Sequence, residues 1–115
     1  MTLRPGMTLE VMNARGRGRL PELFGFRVMA MEQGLLIAEL DIRPELLAPN
    51  GFLHAATVVA LADTACGYGC IAHMPKGAEN FTTVELKSNF LGTARDGVIA
   101  CVAKPAHLEI GRAHV

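Results

Sequence analysis

Leu46-Leu-Ala-Pro-Asn-Gly-Phe-Leu-His54-Ala-Ala-Thr-Val-Val-Ala-Leu-Ala-Asp63-Thr-Ala-Cys66 is the stretch that decides the fold. A Pro49-Asn50-Gly51 turn delivers His54 to the start of a long apolar run that contains one acid, Asp63. The run continues to Ala72 and meets a stop signal at Met74-Pro75-Lys76-Gly77, so a helix is expected from about His54 to Ala72. Ala55, Ala56, Ala60, Ala62, Ala65, Gly67 and Gly69 keep it slim enough for a sheet to lie close against it.

Working outward, the segment before this stretch reads as two strands. Leu35 to Ile42 alternates, with Leu36, Ala38, Leu40 and Ile42 on one side and Leu35, Ile37, Glu39 and Asp41 on the other. Phe26 to Met31 precedes it across a Glu32-Gln33-Gly34 turn, and Pro44 stops the ladder. A short, weak helix is expected from about Thr8 to Arg19, with a turn at Pro21 to Gly25. Beyond the long helix, Thr82 to Leu91 places Val84, Leu86, Ser88 and Phe90 on one face of a strand. An Asp96-Gly97 turn then leads to a strand from Val98 to His107. The order helix, two strands, long helix, two strands predicts an α+β fold with an antiparallel sheet wrapped around one central helix.

The bulk properties agree with a single small domain. The chain has 115 residues, half of them hydrophobic, and zero formal net charge, which excludes a disordered chain and gives no support to a nucleic-acid binder. Arg15, Arg17 and Arg19 are read as a solvated helix end rather than a phosphate site. Cys66, Cys70 and Cys101 lack zinc-site spacing and read as core thiols, so no metal is expected; His73 is also taken as structural. The first residues lack the apolar run of a secretory signal, and the expected location is cytoplasmic. Ala55 to Ala72 imitates a membrane span, but an acid at mid-helix costs about 2.5–3.5 kcal/mol on insertion. Burial in a soluble fold without a membrane partner is the expectation.

Helix geometry adds a constraint. His54 and Asp63 are nine residues apart, so they lie about 13.5 Å apart along the axis and about 180° apart around it. They cannot serve one small substrate within one chain. A two-fold partner with an antiparallel helix could bring its Asp63 to this chain's helix start.

Four segments carry a family resemblance: Arg43-Pro-Glu-Leu-Leu, Asn50-Gly-Phe-Leu-His54-Ala-Ala, Leu61-Ala-Asp63, and Thr82-Thr-Val-Glu-Leu-Lys-Ser-Asn-Phe-Leu-Gly-Thr-Ala. Together they resemble the PaaI-like branch of the hotdog-fold acyl-CoA thioesterases, across roughly Phe24 to His107. The resemblance implies hydrolysis of an acyl-CoA, aryl or medium-chain, at a homodimer interface, with a dimer of dimers as a further option. Coenzyme A arrives as part of the substrate and no separate cofactor is implied. In the roles the family suggests, the Ala55 N–H at the helix start, beside His54, holds the thioester carbonyl. Asp63 of the partner is general base or nucleophile, Thr83 places water, and Asn50, Gly51 and Phe52 meet the substrate. Lys87, Arg95 and Lys104 are candidates for the CoA phosphates.

Two positions depart from the family pattern. Ala48 stands where an Asn is usual, with Asn50 two residues later, and Ala55-Ala56 replaces a Gly-Gly pair. The second change keeps the backbone N–H and the positive end of the helix. The first keeps open an alternative function: a non-catalytic hotdog module that binds acyl-CoA or assembles with partners. A hotdog dehydratase motif is not found. The two family strands expected after His107 are missing, and Ile110 to Val115 is what a common sequencing adapter encodes in one frame. Residues 1–108 are thus expected to be one incomplete hotdog domain and 109–115 a non-native tail.

Overall fold

The computed structural model describes residues 2–115. Its elements are α1 (Leu9–Ala14), α2 (Leu20–Phe24), β1 (Arg27–Glu32), β2 (Leu35–Asp41), a single 3-10 turn (Pro44–Leu46) and α3 (Ala55–Ala72). They continue with β3 (Val98–Ala103), β4 (His107–Glu109) and β5 (Arg112–His114). The first three strands form one antiparallel sheet in the order β1-β2-β3, and α3 packs across β2 and β3.

The alternation of β2 sets the core. Leu36, Ala38 and Leu40 are fully buried and meet Leu61, Ala65, Tyr68 and Ala72, spaced at i, i+4, i+7 and i+11 on α3. Each fully buried leucine stabilises the fold by roughly 1.5–3 kcal/mol. Ala38 pairs with Val28 on one side and Cys101 on the other, so small residues line the row beneath the helix. By length and apolarity α3 could cross a bilayer, with a mean hydropathy of 1.4, but it lies against the sheet as the core helix.

The N-terminal segment covers the outer edge of β1. The Asn13 amide accepts from the Val28 N–H at 2.7 Å and donates to the Val28 carbonyl at 3.1 Å, taking the place of a neighbouring strand. Thr8 caps α1 by accepting from the Val11 N–H. Pro21 to Gly25, expected as a turn, is instead mostly the short helix α2. Pro21 sits where a helix tolerates proline, and Gly25 ends it with φ at 80°.

Two expectations need correction beyond the sheet. Thr82 to Leu91 forms no strand: its backbone makes no ladder with another strand among the described residues, and Val84 and Leu91 are almost fully exposed. Strand identity depends on a ladder partner, and alternating side chains do not supply one. The strand from Val98 also ends early, at Ala103, ahead of Pro105. After it, β4 and β5 pair only with each other, as a hairpin closing at Gly111 with φ at 96°.

Candidate active site

The turn before α3 is tied down from several directions. The Leu46 carbonyl accepts from the His54 N–H at 3.1 Å and from the Thr57 hydroxyl at 2.9 Å. The Ala48 N–H donates to the Phe52 carbonyl, and the Leu53 N–H donates to the Ala94 carbonyl at 2.7 Å. Gly51, at φ 87°, permits the reversal between them. The Asn50 side-chain oxygen accepts from the Phe52 N–H at 3.1 Å, so this amide shapes its own loop. The Phe52 ring carries the Arg95 guanidinium 4.1 Å above its centre, a cation–π contact beside the turn.

His54 is the N-cap of α3. Its Nδ1 accepts from the Ala56 N–H at 2.9 Å, so that nitrogen carries no proton. The Ala55 N–H, on the first residue of the helix, has no intrahelical acceptor and no other hydrogen bond among the described residues. Ala55 is exposed, and the helix start adds roughly half a positive charge. A free, forward-pointing N–H in that position is a donor for an incoming carbonyl oxygen.

Asp63 lies half-buried further along the same unbroken helix. The Thr83 hydroxyl donates to its Oδ1 at 2.8 Å, which fixes the carboxylate and leaves Oδ2 without a partner among the described residues. The structure therefore brings Asp63 and Thr83 together, and it brings His54, Ala55, Asn50, Gly51 and Phe52 together at the helix start. Within one chain these two groups stay separate. Burial, and then the charge of Asp63, push the Cys66 thiol above its ordinary 9.0. Burial also raises Cys70 and Cys101, so none of the three is an activated nucleophile. Among the described residues no three His, Cys, Asp or Glu side chains gather to hold a metal ion.

An apolar cleft of about 500 Å³ opens between α3 at Val58, Leu61 and Ala62, residues 92–94, and the free edge of β3. Outside that cleft, one turn beyond Asp63, the Phe81 ring rests on Gly67, a feature that composition and spacing did not single out.

Residues 50–113, more than half the chain, match the family model described as the thioesterase superfamily. The chain belongs to the thioesterase superfamily. It is 30% identical over 105 residues to the 1,4-dihydroxy-2-naphthoyl-CoA hydrolase of Escherichia coli (strain K12), covering 89% of this chain and 74% of that one. A solved mutant of the thioesterase PA1618 from Pseudomonas aeruginosa superposes with a TM-score of 0.87 at 26% identity. The alignment covers 95% of this chain and 78% of that chain. The Escherichia coli PaaI protein from the phenylacetic acid degradation operon gives a TM-score of 0.70 over 89% of this chain and 76% of that one. At 16% identity, that likeness shows the hotdog fold alone. This thioesterase thus has the α+β hotdog architecture that its motifs implied, and thioester hydrolysis is its family's chemistry.

Proposed function

We propose that this thioesterase hydrolyses acyl-CoA thioesters, aryl or medium-chain, at two equal sites shared across a cytoplasmic homodimer. The observation that carries the reading is the division of labour along α3. A free N–H stands at Ala55, and an oriented carboxylate stands at Asp63, about 12 Å further along an unbroken helix, too far for one small substrate to touch both. An antiparallel partner helix resolves this, and two-fold symmetry then yields two sites.

In the reaction, the Ala55 N–H donates to the thioester oxygen and stabilises the negative charge that builds there. Asp63 of the other chain accepts a proton from water through Oδ2 while Thr83 holds Oδ1. The water oxygen bonds to the carbonyl carbon, and the C–S bond breaks. The proton taken by Asp63 is returned to the departing CoA sulfur. Arg95, held over Phe52 beside the helix start, is suited to a CoA phosphate, and Lys87 and Lys104 are further candidates. Coenzyme A enters as part of the substrate, and the mechanism calls for no additional cofactor.

Free-thiol release from a panel of acyl-CoAs tests this, with Asp63→Asn beside the wild type. Loss of the base should lower kcat by ~10²–10⁴-fold while acyl-CoA still binds. Equal rates would remove Asp63 from the mechanism. One observation favours a second reading, acyl-CoA binding without hydrolysis: Ala48 replaces the family Asn and the Asn50 amide is spent on its own loop. Tight binding with no thiol release by the wild type would select it.

A further inference from the structure

Gly67 lies one turn beyond Asp63, on the same face of α3. A Cβ at Gly67 would lie 2.5 Å from Cζ of Phe81 and 3.0 Å from its Cε2. The tip of the ring therefore fills the volume that any side chain there would need. Two residues on, Thr83 bonds to Asp63 at 2.8 Å. These two contacts fix how the segment lies. Alternate residues of an extended chain are about 6.6 Å apart, and four helical residues rise about 6 Å. One pair of extended residues thus matches one helical turn, and residues 81–83 run antiparallel along α3 with Phe81 over Gly67 and Thr83 over Asp63.

Phe81 is no core residue. It keeps 38% of its surface exposed, so the ring stands on the helix backbone with much of its area facing outward beside the carboxylate. The Asn80 side chain accepts from the Phe81 N–H at 2.9 Å and holds the chain where the ring departs. An apolar group reacting at Asp63 and extending toward the C-terminal half of α3 meets this ring within one turn.

We propose that Phe81, seated on Gly67, is the specificity-determining wall of the acyl site and limits acyl length on that side of Asp63. The inference rests on Asp63 acting on a thioester, as set out above. Glycine at position 67 is then a requirement of specificity, because even alanine would displace the ring.

The test is the profile of kcat/KM for butanoyl-, octanoyl- and dodecanoyl-CoA, measured for the wild type, Phe81→Ala and Phe81→Leu, with circular dichroism confirming the fold. Removing the ring should raise the dodecanoyl-to-butanoyl ratio at least ~10-fold, the discrimination expected from a single methylene in an apolar pocket. Phe81→Leu keeps apolar volume at the site and should give a smaller shift in the same direction, which also covers a misfolded alanine variant. Gly67→Ala, whose Cβ displaces the ring, should shift the same ratio, and the double variant Gly67→Ala/Phe81→Ala should give the profile of Phe81→Ala. An unchanged profile in a folded, active variant overturns the proposal alone. No thiol release from any acyl-CoA by the wild type overturns the hydrolytic reading and this proposal with it.

Discussion

His73 joins two elements through one buried ring. The Gly34 N–H donates to its Nε2 at 2.8 Å, the Glu32 carbonyl lies 3.2 Å from the same nitrogen, and Nδ1 lies 2.8 Å from the Gly69 carbonyl. With 3% exposure it ties the β1–β2 turn to the end of α3. His73→Ala leaves the half-buried Gly34 N–H without this partner and opens a cavity where the ring was, for a loss of about 2–4 kcal/mol. Urea denaturation at neutral pH reads this; an unchanged midpoint would show that the ring carries little of the fold. At this scale His54 and Asp63 were legible because one opens an apolar helix and the other interrupts it, and polar groups placed there need a reason. Phe81 was not legible. Its significance lies in a contact with Gly67, and the only trace in the sequence is a mid-helix glycine that costs about 1 kcal/mol relative to alanine.

An element's identity depends on what lies beside it. The alternation of β2 was readable because its buried face meets α3 and both of its edges are paired. Thr82 to Leu91 alternates just as well and forms no ladder, because periodicity reports faces and says nothing about edges. Helix α1 gives the opposite case. Its sequence gave no hint that Asn13 would substitute for a strand along β1. Asn13→Ala removes both of those bonds and uncovers the edge, so a loss of about 1–3 kcal/mol and a greater tendency to aggregate are expected. Thermal melting with light scattering checks both, and a variant that melts like the wild type without aggregating would show that the amide does not guard this edge.

For the whole molecule, the central question is whether one α3 supplies two half-sites. That idea was available from counting residues along a helix, and the structure adds the unbroken helix, the open Ala55 N–H and the fixed Asp63 carboxylate. Complementation between two inactive variants tests it most directly. Ala55→Pro deletes the N–H yet suits the first position of a helix, and His54 already has the extended backbone, ψ 137°, that a residue before proline prefers. Asp63→Asn deletes the base. Each variant alone should be inactive. Mixed in equal amounts with subunit exchange, half the dimers are hybrids with one intact site of two, so thiol release should return to about a quarter of the wild-type rate. Activity that stays at the level of the single variants, with exchange verified, would contradict a site built from two chains.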